Sequence, residues 1–407
     1  MTDDAPSVRA VTARSRGPVY CVWELTLACD LACRHCGSRA GKARPDELST
    51  AECLDVVAQL AEVGVRDVAL IGGEAYLRPD WVTIATAVRR AGMTVRMVTG
   101  ARGLDPERGG LEVLRGAKDA GLANISVSVD GLEAAHDRQR GKGSFASAGR
   151  AMAAIREAGI RLAANTQLNR LSIGDLEGLA ELLVTRGVNA WQVQLTVPMG
   201  RAADRAGELV LEPYQLLDLF PRLAKVAAEV LAPAGVQLAP ANNIGYFGPF
   251  EQALRLGGAD GVHWEGCPAG KWALGIEADG SLKGCPSLPT ASYVGGNLRT
   301  MRLADILQTE PLRRLRERDE TALWGFCRTC YYAEVCKGGC SWTAHTTLGR
   351  PGNNPFCHHR ALELEKQGLR ERLVMVERAP GTPFDHGRLA LVVEPSGEPA
   401  AADVSNV

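Results

Sequence analysis

Within the first 200 residues the chain repeats one pattern: a short apolar run, then a longer stretch with apolar positions three and four apart. The short runs predict strands at Val19–Thr26, Val65–Ile71, Thr94–Val98, Asn124–Val129, Arg161–Gln167 and Ala190–Leu195. The longer stretches predict helices that stop at Gly64, Gly92, Gly121, Gly159 and Gly187, which stand 28, 29, 38 and 28 residues apart. Ser49 to Val63 is the clearest helix, with Ser49 and Glu52 spaced as a capping box and Leu54, Val57 and Leu60 or Ala61 as its apolar face. Alternation at this period specifies a parallel α/β sheet with right-handed crossovers. Six strands fall short of the eight of a closed barrel, so the expected fold is an open (β/α)6 partial TIM barrel with its chemistry at the carboxyl ends of the strands.

The pattern changes at Glu212. Tyr214 to Leu231 predicts one long amphipathic helix, and Pro233 to Gly261 is a Gly- and Pro-rich bridge. Its Tyr246, Phe247 and Phe250 either line a substrate groove or dock the bridge onto the barrel. Ala273–Glu277 and Ser281–Lys283 flank Asp279-Gly280, a hairpin signal that places Cys285 at a hairpin's end. The expected organisation is a flexible tail at 1–18, the barrel at 19–212, the bridge at 213–262, a second α+β domain at 263–365 and a C-terminal tail at 366–407.

Composition narrows the class. A chain of 407 residues has ample core, and a formal net charge of −1 gives no bulk attraction to nucleic acid or to an anionic membrane. There is no signal-peptide pattern and no 18-residue apolar run. Twelve cysteines in such a chain point to metal or catalysis in a reducing cytoplasm rather than to disulfides. Cys21, on the first strand, and Cys53, on the first helix, read as packed core thiols.

The other ten cysteines fall into motifs. Cys29, Cys33 and Cys36 put three thiols in eight residues just after the first strand, a short fixed spacing of the kind that holds an iron–sulfur cube and leaves one iron without a protein ligand. Structural zinc is the competing reading, although it favours four ligands in two pairs. The run Cys29-x3-Cys33-x2-Cys36, with His35 before the last cysteine, closely resembles the radical S-adenosylmethionine (SAM) enzymes. In that family the free iron chelates the amino and carboxylate groups of SAM. Gly72-Gly73-Glu74, ending the second strand, resembles the family's element for the SAM ammonium. Thr99, ending the third strand, stands where relatives carry a polar residue near SAM, and Ser128 resembles the ribose-binding position. Ser128 and Asp130 share a face, either acting together on the cofactor or capping a strand-to-turn junction. His136-Asp137-x2-Arg140-Gly141 resembles a segment of peptide-modifying members, which implies pairing of Arg140 with the SAM carboxylate. Asn165, Gln167 and Asn169 flank the fifth strand end, and Pro198-Met199-Gly200-Arg201-Ala202 resembles a turn of the same subgroup.

The second set runs Cys267, Cys285, Cys327, Cys330, Cys336, Cys340 and Cys357. Its order and gaps resemble the SPASM domain, the auxiliary-cluster extension of radical SAM enzymes, with structural zinc again the competing reading. The resemblance implies that Cys327, Cys330, Cys336 and Cys357 ligate one auxiliary cluster and that Cys267, Cys285 and Cys340 ligate the other. No cysteine stands between Cys267 and Cys285, so a fourth ligand there would be His263, His345, His358 or none.

The resemblance implies three [4Fe–4S] clusters, SAM as cosubstrate, and a 5′-deoxyadenosyl radical that takes hydrogen from an unactivated carbon of the substrate. The expected substrate is a ribosomally made precursor peptide, oxidised by two electrons or crosslinked, with a flavodoxin or ferredoxin as electron donor. The 18 residues before the barrel are too few for the leader-binding domain of many relatives, so leader recognition is expected to need a separate leader-binding protein, the bridge or the C-terminal tail. The alternatives are a small-molecule or cofactor precursor and a sulfatase-maturase-like role. Against the latter, Pro286 stands where those maturases carry Asp.

Overall fold

The computed structural model describes residues 17–255 and 263–397. The expected N-terminal tail, apart from Gly17 and Pro18, lies outside the described residues, as do the end of the bridge and residues 398–407.

Strands β1 (Tyr20–Thr26), β2 (Asp67–Gly72), β3 (Thr94–Thr99), β4 (Asn124–Ser128), β5 (Arg161–Leu168) and β6 (Ala190–Leu195) follow one another in parallel register, as the sequence predicts. The first crossover helix, α1 (Thr50–Glu62), carries the capping box: the Ser49 hydroxyl accepts from Glu52 N, and the Glu52 carboxylate accepts from Ser49 N at 2.7 Å. Its inner face is Cys53, Val56, Val57 and Leu60. Leu54 is 39% exposed, so the apolar face lies one position round from the expected one. All five stop glycines hold left-handed φ between +70° and +90°, the conformation glycine adopts most cheaply. Cys21 and Cys53 are buried in the main core.

The sheet is wider than the six-strand barrel. Within the bridge, β7 (Gln237–Pro240) adds a seventh parallel strand beside β6. At the opposite edge β8 (Ala273–Ile276) pairs in parallel with β1, and β9 (Ser281–Lys283) and β10 (Val294–Asn297) continue antiparallel. The expected hairpin therefore forms, with Gly280 at φ +88°, and it belongs to the barrel sheet instead of standing apart in a second domain. A buried charge network seals this junction: Arg44 bonds Glu24 of β1 at 3.1 Å and Glu277 at 3.0 Å, and the Lys283 ammonium reaches Glu277 at 2.5 Å.

The long helix after Glu212 is a short 3-10 turn, then α2 (Leu216–Val226), then a π turn over Ala227–Leu231. Tyr246 of the bridge is fully buried edge-on to Trp264 at 5.0 Å, and Phe247 stacks on Tyr332 at 4.2 Å. These two rings dock the bridge onto the cysteine-rich C-terminal part, whereas Phe250 packs on the main core. The expected C-terminal tail is a correction: β11 (Leu369–Glu377) and β12 (Arg388–Pro395) form an antiparallel ribbon. Leu373 and Met375 pack on the core, and the loop between the strands returns to the barrel. Among the described residues, no helix is long and apolar enough to cross a membrane.

Candidate functional site

Cys29, Cys33 and Cys36 lie on the loop that leaves the carboxyl end of β1. Neighbouring strand ends brace this loop closely. Gly73 N donates to Thr26 O and Glu74 N to Ala28 O, both at 2.8 Å. A Cβ on Gly72 would strike Thr26 O, and one on Gly73 would strike Ala28 O and lie 2.7 Å from Cys29 Cβ. The two glycines are thus required by packing against the cysteine loop itself. From the far side Arg201 holds Cys33 O at 3.1 Å and also Ala40 O, while Arg201 N donates to Cys36 O at 3.0 Å. Gly200, at φ +57°, has no room for a side chain because Cys36 O and Gly37 O lie against it.

Glu74 is buried beside the loop. Its carboxylate accepts from Thr99 Oγ1 at 2.5 Å and Gly100 N at 2.6 Å, and burial pushes its pKa up to about 8 against those two bonds. Ligand atoms of Cys29, Asp30 and Glu74 lie within 4.8 Å of one another, a concentration of acceptor groups suited to a cation. Sequence reasoning missed Asp30, which Tyr76 holds through a 3.0 Å bond; adjacency to Cys29 was its one signal. Burial, Glu74 and the neighbouring thiols push the Cys29 thiol up to about 12.

Asp130 is fully buried, and protein donors engage both of its oxygens: Arg140 Nε at 2.5 Å, Gln167 N at 2.8 Å and His35 Nε2 at 3.1 Å. Burial opposes its charge, yet Arg140 and His35 hold the carboxyl far below the usual range. Arg140, so anchored, lies 3.7 Å from Cys33 Sγ. His136 accepts from Asp130 N at 3.1 Å, and burial lowers its pKa to about 4, leaving it neutral. Ser128 is buried in register with Asn165. Asp30 Oδ1, His35 Nδ1 and Asn165 Oδ1 are buried without a protein partner, as polar atoms around a ligand's place are. Asn169 instead bonds Gln139 and Thr196 inside the protein.

The C-terminal cysteines separate into two groups. Cys327, Cys330, Cys336 and Cys357 line one recess with Phe247 and Tyr332. Burial, then Cys327, pushes the Cys336 thiol up to about 12, while burial, then Cys336, raises Cys357. Cys267, Cys285 and Cys340 form the other group: burial and Cys267 push Cys340 up to about 12 and Cys285 up to about 11. All twelve cysteines are free thiols. Buried thiols that oppose one another's ionisation suit metal, because an iron cluster supplies the positive charge that thiolates need. Each of the three histidines considered for the three-cysteine group has a contact elsewhere, through one ring nitrogen or the ring itself. His263 Nδ1 meets Trp264 O at 3.0 Å, His345 Nδ1 meets the Tyr293 hydroxyl at 2.8 Å, and His358 packs edge-on to Phe220 at 5.1 Å.

Comparison with known sequences places this parallel sheet with three braced thiols at its strand ends in a family. The pattern of the Radical SAM superfamily matches residues 23–183, and that of the SPASM iron–sulfur cluster-binding domain matches 267–331. The chain belongs to the radical SAM enzymes that carry a SPASM domain, proteins that use SAM and [4Fe–4S] clusters. It is 30% identical to the mycofactocin maturase MftC of Mycobacterium ulcerans over 377 residues, covering 91% of this chain and 94% of that protein. It is 28% identical to the AdoMet-dependent heme synthase of Methanosarcina barkeri, over 86% of this chain and 98% of that one. In fold it is similar to Streptococcus suis SuiB bound to its precursor peptide SuiA, with a TM-score of 0.61, 15% identity, and coverage of 85% and 76%.

Proposed function

We propose that this protein is a cytoplasmic peptide maturase that removes hydrogen from a ribosomally made precursor peptide, leading to two-electron oxidation or a crosslink. The observation that carries the reading is the grouping of ten cysteines into three sets, one at the barrel strand ends and two in the C-terminal part. In this reading Cys29, Cys33 and Cys36 hold the SAM cluster. Cys327, Cys330, Cys336 and Cys357 hold one auxiliary cluster, and Cys267, Cys285 and Cys340 hold the other. Bound there, SAM and the first cluster would supply a 5′-deoxyadenosyl radical, and the auxiliary clusters would supply the capacity to accept an electron.

The chain's own residues bind and orient. Glu74, set by Thr99 and Gly100, accepts from the SAM ammonium, with the Asp30 carboxylate adding negative charge beside it. Asp130 holds Arg140 in place for the SAM carboxylate, and Ser128 at the end of β4, with Asn165 opposite it on β5, would hold the ribose. Burial around these groups excludes water, so each charged bond gains strength. The similarity to MftC, a maturase, and to SuiB, solved with a precursor peptide, supports a peptide substrate. A flavodoxin or ferredoxin would donate the electron, and a separate protein would bind the leader.

Co-expression with a short open reading frame from the neighbouring genes, followed by mass spectrometry, tests this. Loss of two hydrogens from a defined residue, or a larger oxidative loss, is the expected result. The similarity to a heme synthase favours a second reading, a small-molecule precursor as substrate. An unmodified peptide alongside active SAM cleavage would favour it.

A further inference from the structure

The loop between β11 and β12 reaches back across the molecule and touches both metal-binding regions. Asp385, with a side chain only 4% exposed, accepts from Arg39 Nε at 2.8 Å and Nη2 at 3.2 Å. Gly381 N and Thr382 N donate to the same carboxylate at 2.5 and 3.0 Å, so the loop folds around it. Arg39 lies three residues after Cys36, and its guanidinium is also forked onto Asp204 at 2.6 and 2.8 Å. The backbone is joined as well: Gly200 N donates to Asp385 O at 2.8 Å, and His386 makes an antiparallel bridge with Met199. Met199 Sδ would lie 3.7 Å from a Cβ on Gly37, next to Cys36.

The preceding residue reaches the other region. The Phe384 ring lies 4.1 Å from Lys283 Nζ, two residues before Cys285, and packs with Val197 and Met199 after β6. Arg39 and Phe384 hold left-handed φ of +51° and +57°, although neither is glycine. Bulky side chains adopt that conformation only where surrounding contacts over-determine it. Both residues that join this loop to the metal-binding regions are thus among the six described non-glycine residues with left-handed φ.

We propose that Asp385 and Phe384 are positioning residues, and that the C-terminal ribbon completes the SAM-binding centre by clamping the Cys29–Cys36 loop in register with the three-cysteine set. β1 anchors the start of the cysteine loop and, through Gly41 paired with Leu27 and Cys29, the end of its exit; between them the exit is held by Arg201 on Ala40 O and, from the C-terminal ribbon, by Asp385 on Arg39. A guanidinium fixed between two carboxylates holds that exit in one place, and a site gains precision when such supports are locked. The inference rests on the reading of Cys29, Cys33 and Cys36 as the SAM-cluster ligands.

Asp385→Asn tests it, because the amide keeps the shape and loses the charge. The variant is studied as full-length, anaerobically reconstituted protein. Iron content is expected to match the parent, while SAM binds at least about threefold more weakly. The electron paramagnetic resonance signal of the reduced, SAM-bound protein changes shape, amide exchange rises at residues 36–41, and Asp385→Glu recovers part of the affinity. Unchanged SAM affinity, resonance signal and exchange overturn the proposal. So does a fall in thermal stability alone, since that marks a purely structural ribbon. If Asp385→Asn does not fold, Arg39→Lys is measured in the same way and read by the same outcomes. Iron and SAM binding by the parent report separately on the underlying reading: their absence there removes that reading, not the clamp alone.

Discussion

The two cysteine-rich regions are built by opposite means. Cys29, Cys33 and Cys36 occupy eight residues of one loop, and strand ends on either side shape that loop through backbone contacts such as Gly73 N to Thr26 O. The seven C-terminal cysteines span residues 267 to 357 and are gathered from a hairpin end, short helices and turns packed on Tyr246, Trp264 and Tyr293. The first site is a cradle shaped by backbone pairing to the strand ends, whereas the second is gathered from segments far apart in sequence, so metal bound there would tie those segments together.

The strongest way to test this contrast is to remove the first set. Cys29→Ala with Cys33→Ala and Cys36→Ala should abolish SAM cleavage and lower iron from about twelve to about eight per chain, by three cubes of four. The barrel should stay folded, as circular dichroism would show; retained cleavage would refute the assignment. Next in size is Cys285→Ala, which should abolish product while 5′-deoxyadenosine still forms, because the first cradle is untouched. Normal product from protein shown to lack that cluster would remove the electron-acceptor role.

Glu74→Ala sharpens the contrast inside the cradle. Losing one charge-assisted bond of roughly 1.5–3 kcal/mol should weaken SAM binding about ten- to a hundredfold with iron unchanged, measured by equilibrium binding. The smallest effect belongs to the seam between the regions. Burial, offset in part by Arg44, pushes Glu24 up to about 7, above the ordinary carboxyl value. Its contribution to stability is then fully present below the unfolded pKa and is lost as pH rises through the folded value. Thermal midpoints should fall between pH 6 and pH 8 by about 2 °C more in the parent than in Glu24→Gln. An identical pH dependence would show that Glu24 is already ionised at pH 6.

What was legible in the chain follows the same division. The six barrel strands and five stop glycines were readable because each is specified locally, by an apolar run or a left-handed turn. The cysteine partition came from the family resemblance of the two cysteine runs, and the thiols that raise one another's pKa fall into the same groups. Gly72 and Gly73 were noticed for their approach to a ligand, but their nearest neighbours are Thr26 and Ala28, a contact set by strand register across the fold. Asp385 carried no signal: its partner Arg39 lies 346 residues earlier, and Arg-Glu-Arg-Leu-Val-Met-Val reads as a strand only once its pairing with β12 is known. Leu54 misled because helical spacing allows two adjacent faces, and the packing of α1 decides between them.

The parallel pairing of β8 with β1 bears on how this protein can be dissected. β1 begins the barrel, yet it is an interior strand only because residues 273–276 cover its outer side. A fragment ending at residue 255 would bare a row of unpaired amides and carbonyls along an apolar strand that carries Trp23 and Leu25. Exposed edges of that kind recruit strands from other molecules, so the severed barrel is a candidate for self-association. Shuffling C-terminal parts among relatives therefore calls for keeping the β1–β8 register, and a crossover point placed after β10 preserves it.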